Sequence, residues 1–110
     1  MGGLVEFSPV KSQEFSIVYE KAKKWHCDPA VVYYLASSDN KFGVIASKKI
    51  GNAVKRNRAK RVVRAAFLEL KDRLKPGIYV IITRANINDM EFSSVVKSLK
   101  WSFKRLEAEK

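Results

Sequence analysis

The sequence predicts an α/β (α+β) two-layer sandwich, with helices packed on a small mixed sheet. Three observations predict it. Apolar residues recur at helical spacing in three separate stretches. Short runs rich in Val, Ile and Tyr lie between them. The two kinds of stretch interleave as α-β-β-α-β-α, an order that sets helices against a sheet. The 110 residues make one domain, and a hydrophobic content of 46% is enough to bury a core.

The elements follow in order. Residues 1–9 form a flexible N-terminus. Ser12 can cap a first helix, with Glu14 in its positive first turn and Phe15, Val18, Tyr19 and Ala22 on one stripe. Lys23 and Lys24 suit its C-terminal end, and Asp28-Pro29 breaks the pattern. Residues 30–37 are a strand with Val31, Tyr33 and Leu35 on one side and Val32, Tyr34 and Ala36 on the other. Turn chemistry at residues 38–41 joins it to a second strand over 42–48, which predicts a hairpin. After a loop at Ile50-Gly51-Asn52, a helix runs over about 53–74 on a stripe of Val63, Phe67, Leu70 and Leu74, and Pro76-Gly77 ends it. Residues 78–84 are apolar enough for a central strand. A final helix over 91–107 turns Phe92, Val95, Val96, Leu99, Phe103 and Leu106 inward, and Trp101 is read as packing.

Several function classes are excluded by composition. The longest apolar run, residues 30–36, falls far short of the roughly 20 residues of a membrane span. No basic and apolar leader precedes the first helix, so a cytoplasmic location is expected. The single cysteine cannot form an internal disulfide, which suits a reducing compartment. His26 is the only histidine, so no Ser/His/Asp or Cys/His catalytic set is available. His26-Cys27 has no further Cys or His to complete a zinc site, and no metal ligand or catalytic residue is assigned.

The net charge is +11, and it is concentrated. Residues 41–64 hold nine Lys/Arg and no acid, whereas residues 1–40 hold four Lys against five acids. The run is internal and interleaved with Val54, Ala59, Val62 and Val63, so it is no disordered tail. A folded element carrying one sign of charge repels itself, a cost that a polyanion removes. An anionic membrane would need a better apolar face beside the charges.

The helix start is where the charge is densest. Lys55, Arg56, Arg58, Lys60, Arg61 and Arg64 stand in its first turns, where the macrodipole is already positive. Such a breach of a local rule marks function. The free backbone N–H groups and these side chains together make a phosphate site. Arg56, Lys60 and Arg64 fall on one stripe, with the apolar stripe opposite. Asn57 lies between two arginines, and Lys48 and Lys49 approach the same helix start.

Lys48-Lys49-Ile50-Gly51-Asn52-Ala53-Val54-Lys55-Arg56-Asn57-Arg58, with Lys60, Arg61 and Arg64 following, closely resembles the motif of the bacterial ribonuclease P protein subunit. Glu14-Phe15 with Tyr19, and Tyr-Val-Ile-Ile-Thr-Arg at 79–84, are similar to its first helix and late strand. The resemblance covers about residues 10–106. It implies an α-β-β-β-α-β-α order with an extra short strand near residues 25–28, a left-handed β-α-β crossover and a ribosomal protein S5 domain 2-like arrangement. It also implies partners: a large catalytic RNA, bound one to one, and precursor tRNA. The RNA, with Mg²⁺ held through it, removes the 5′ leader, and the protein is not itself the catalyst. By the same resemblance Lys48, Lys55, Arg56, Asn57, Arg58, Lys60, Arg61 and Arg64 meet the catalytic RNA. Phe15, Tyr19, Tyr33 and the cleft-edge Lys49 receive the leader.

The chain departs from the family in places. Only one Lys stands in the stretch before the first helix, the turn at 38–41 is short, and Ala30 replaces a common aromatic. By their own spacing Phe15 and Tyr19 read as a core pair, the resemblance alone placing them in a cleft, and Tyr33 shares its strand face with Val31 and Leu35. A general RNA-binding or ribosomal protein on the same fold is the alternative function, and a protein-only nuclease a third.

Overall fold

The computed structural model describes residues 6–110. Its order is β1 (Ser8–Pro9), α1 (Ser12–Lys21), β2 (Lys23–His26), β3 (Ala30–Ala36), β4 (Lys41–Ala46), α2 (Ala53–Leu70), β5 (Gly77–Thr83) and α3 (Phe92–Arg105). The five strands form one mixed sheet in the order β1-β4-β5-β3-β2.

The strand order overturns the predicted hairpin. β3 and β4 do not pair; β5 lies between them, antiparallel to β3 and parallel to β4. The reason is burial. β5 carries Tyr79, Val80 and Ile81, each fully buried, so both its faces need cover and it takes the central place. The short link between β3 and β4 passes the end of β5, where Asn40 Oδ1 accepts the Gly77 N–H at 3.3 Å. β4, α2 and β5 thus form a β-α-β unit.

Other boundaries also moved. Lys11, not Ser12, is the N-cap of α1: its backbone N–H donates to Glu14 Oε1 at 2.8 Å, and Ser12 lies inside the first turn. Lys23 and Lys24 do not end α1 but begin β2, which supplies the extra strand implied by the resemblance. α2 stops at Leu70, and a 3₁₀ turn (Lys71–Arg73) follows before Pro76. Phe92 opens α3 at the surface rather than facing the core. Of the flexible start expected over 1–9, residues 1–5 lie outside the described residues. Beyond them, Ser8–Pro9 pairs with β4, and Phe7 packs edge-on to Phe67 with ring centres 5.0 Å apart.

Strand alternation divides the core. One face of the sheet, with Val32, Tyr34, Tyr79 and Ile81, is covered by α2 and α3 through Val63, Phe67, Val95, Leu99 and Phe103. Phe42 and Phe67 stack there with ring centres 3.9 Å apart. On the other face Val18 of α1 is fully buried with Val80, while Tyr33, Leu35, Ile45, Ile78 and Ile82 are only half-covered. One helix is too narrow to roof that face, and part of it stays open.

Candidate nucleic-acid interface

The start of α2 is built to hold its charge in place. Gly51 has φ 136°, a left-handed conformation that favours glycine, and an added Cβ would meet Lys55 Cδ at 2.8 Å. Asn52 caps the helix, its Oδ1 accepting the Lys55 N–H at 3.0 Å. The Arg56 guanidinium donates back to the Gly51 carbonyl at 3.3 Å. Asn88, on the 3₁₀ turn Ala85–Asp89 after β5, donates to the Lys55 carbonyl at 3.0 Å and ties the helix start to the sheet. Nothing in the sequence singles Asn88 out, because its role exists only once that turn lies beside α2.

Around this frame the cations stand free. Lys55, Asn57, Arg58, Arg61 and Arg64 are exposed, and Arg56 and Lys60 are half-exposed. Ala59, Val63, Ala66, Phe67 and Leu70 take the buried side. Lys48 and Lys49 are exposed on a 3₁₀ turn (Lys48–Ile50) just before the helix. Among the described residues no carboxylate pairs with any of these cations; the one ion pair is Lys41 with Glu14. Unpaired cations added to a helix N-terminus form a surface whose missing counter-charge is an anion.

The second cluster lies on the other face of the sheet. The Phe15 and Tyr19 rings are 6.1 Å apart along α1, and Tyr19 meets Tyr33 of β3 edge-on at 5.2 Å. The three expected aromatics therefore form one continuous row. Phe15 and Tyr33 are half-buried and Tyr19 is 43% exposed, so the row is accessible rather than filling a core. Burial and the neighbouring Tyr33 raise the Tyr19 pKa, which keeps its hydroxyl neutral. Gly43 of β4 allows the close approach: a Cβ there would stand 3.2 Å from Phe15 Cζ and 3.2 Å from Val10 Cγ2.

Arg64 joins the two clusters. Together with Phe15, Phe42 and Gly43 it lines a cleft of about 350 Å³ at the edge of β4, where β1 pairs with only Lys41 and Phe42. Lys49 lies past the end of β4, about 10 Å of strand beyond Gly43. His26 and Cys27 stand apart from both clusters. Cys27 Sγ donates to the Ala30 carbonyl at 3.1 Å, and burial pushes its pKa up. Among the described residues no group of three or more His, Cys, Asp or Glu could hold a metal ion.

Comparison with known proteins decides the family. The family model for ribonuclease P matches residues 10–107. This chain belongs to the ribonuclease P protein family. It is 44% identical over 99 residues to the ribonuclease P protein component of Bacillus cereus, covering 86% of each chain. It is 34% identical over 98 residues to that of Nitratiruptor, covering 89% of this chain and 90% of the relative. Among solved structures, the Staphylococcus aureus RNase P protein superposes with a TM-score of 0.82 at 27% identity, over 96% of this chain and 100% of that one. The Thermotoga maritima RNase P protein shares the fold, with a TM-score of 0.78 at 24% identity over 89% and 96% of the two chains. A further Staphylococcus structure, TM-score 0.81 at 28% identity over 91% and 88%, is described as a mutant with defective mRNA degradation activity.

Proposed function

We propose that this chain is the RNA-binding subunit of a tRNA-processing ribonuclease P. The outer side of α2, with Lys55, Arg56, Asn57, Arg58, Lys60, Arg61 and Arg64, and Lys48 on the turn before it, meets the catalytic RNA. The row of Phe15, Tyr19 and Tyr33 receives the unpaired 5′ leader of precursor tRNA, and Lys49 serves the end of that cleft. The observation that carries this reading is the pairing of six unmatched cations at the α2 start with an accessible aromatic row across the sheet. Phosphates suit the first, and unpaired bases stack on the second for about 1–3 kcal/mol each. Arg64 stands where a strand leaving one surface enters the other.

The phosphodiester cleavage belongs to the RNA. Mg²⁺ acts there with the RNA; among the described residues of the protein no group of three or more His, Cys, Asp or Glu gathers. The protein's part is to bind and orient two RNAs in a one-to-one particle in the cytoplasm. The described residues hold no helix long and apolar enough to cross a membrane.

Reconstitution tests this. With a bacterial catalytic RNA added at low Mg²⁺, the protein should release the 5′ leader; protein alone should leave precursor tRNA whole. Failure to release it would return the chain to a general RNA-binding role. The mRNA degradation ascribed to the Staphylococcus relative makes the protein-alone arm informative. RNA cut by purified protein would favour the nuclease reading.

A further inference from the structure

A third patch lies at the far edge of the sheet from β4. Trp25 of β2 and Trp101 of α3 share the Arg105 guanidinium, whose carbon is 5.0 Å from one ring centre and 5.9 Å from the other. Lys104 Nζ is 5.9 Å from the Trp101 ring. Trp101 is 54% exposed, so the packing role expected for it does not hold. Trp25, His26, Cys27, Asp28, Lys97 and Trp101 help line a cleft of about 520 Å³. α3 presents Lys97, Lys100, Lys104 and Arg105 with no acid among its residues, and none of the four pairs with a carboxylate among the described residues.

A half-exposed indole among unpaired cations is a stacking platform in a positive field. Asp28 and Lys97 balance within the cleft lining, so the positive excess beside it comes from Lys100, Lys104 and Arg105 of α3. The sheet register joins this patch to the aromatic row. Tyr33 pairs with Lys24, and Val31 with His26, so Lys24 and His26 extend the face that carries Tyr33. Trp25, between them, turns to the α3 side. Arg84 donates to His26 Nδ1 at 3.1 Å and adds a cation at the same edge. From Tyr33 the sheet edge is one strand away, about 4.8 Å.

We propose that the RNA strand held in the aromatic row continues round the β2 edge onto α3, where an outer base stacks on Trp101 and phosphates pair with Lys97, Lys100 and Lys104. The proposal rests on the reading of Phe15, Tyr19 and Tyr33 as a single-strand cleft. It adds a second contact, for nucleotides beyond those the cleft holds.

The chain has two tryptophans, Trp25 and Trp101, and both are in this patch. The cleft aromatics are Phe and Tyr, so tryptophan emission reports on the patch alone. The full-length protein is titrated with oligoadenylates of about four and about twelve nucleotides, with binding followed separately by anisotropy of labelled oligomers. The short oligomer should bind without changing tryptophan emission; the long one should quench it. Trp101→Ala should weaken the long oligomer about tenfold and the short one less than about twofold, with Trp101→Phe restoring most of the loss. Lys97→Ala should weaken only the long oligomer. Long oligomers that bind Trp101→Ala as tightly as wild type, or bind wild type without quenching, would overturn the proposal. So would emission that follows protein concentration without RNA, which would give the patch to a second copy of the chain. No quench alongside successful reconstitution removes the α3 track alone. A quench alongside failed reconstitution removes the ribonuclease P assignment and keeps the track.

Discussion

Arg61 and Arg56 stand five residues apart on one helix and should answer differently to truncation. Arg61 is exposed and makes no side-chain hydrogen bond or ion pair among the described residues, so Arg61→Ala should leave the thermal midpoint unchanged. It should flatten the salt dependence of catalytic-RNA binding by about one unit of slope, the loss of one phosphate contact. Arg56 also donates to the Gly51 carbonyl. Arg56→Ala should therefore lower both the slope and the midpoint. Salt titrations of the two variants check this, and an unchanged slope for both would remove the phosphate assignment. At this scale the cations were legible in the sequence, because Lys and Arg at a helix start have few other reasons to be there. The accessibility of Phe15, Tyr19 and Tyr33 was not: the same spacing describes a core pair, and only the narrowness of α1 over the sheet leaves them open.

Among the elements, α1 is the one whose position determines the cleft. Val18 anchors its middle, and Glu14 ties its first turn to Lys41 of β4 while also accepting the Lys11 N–H. Lys41 first, and that N–H second, hold the Glu14 carboxyl below the usual carboxylate range. A lowered pKa in the folded state means a stabilisation complete above the usual carboxylate value and lost as pH falls through the lowered one. Glu14→Gln should then melt below wild type at neutral pH, with the gap closing as the solution is acidified through the carboxylate range. Melting curves across pH measure it; a gap independent of pH would show that Glu14 acts through packing rather than charge. The three helices were legible from their period, but the joining of β3 to β4 was misread. A four-residue turn between two apolar runs has the local chemistry of a hairpin, and only the need to bury both faces of β5 separates them.

At the scale of the whole molecule, the sheet separates the two proposed binding surfaces. Phe15 stands on α1 over one face and Arg61 on α2 over the other. Distant sites without shared partners contribute independently, within about 0.5 kcal/mol. Phe15→Ala should weaken binding of precursor tRNA more than of mature tRNA, and Arg61→Ala should weaken binding to the catalytic RNA. In the assembled particle the double variant should lose the sum of the two effects. Coupling well beyond about 0.5 kcal/mol would mean the sheet transmits strain between its faces. Equal loss of precursor and mature tRNA would make Phe15 structural.

The sequence by itself determined the periods of the three helices, the apolar centre of the sheet, the concentration of charge at residues 41–64 and, through the motif around Arg56, Asn57 and Arg58, the family. These are properties of neighbours along the chain, and local spacing records them. The tertiary structure alone decided that β5 divides β3 from β4, that Arg64 and Phe15 line one cleft, that Asn88 holds the α2 start, and that Trp25 and Trp101 share one arginine. Each of these joins residues far apart in sequence. Their meeting follows from how the chain buries both faces of one strand with three helices, a competition for cover that no single segment encodes.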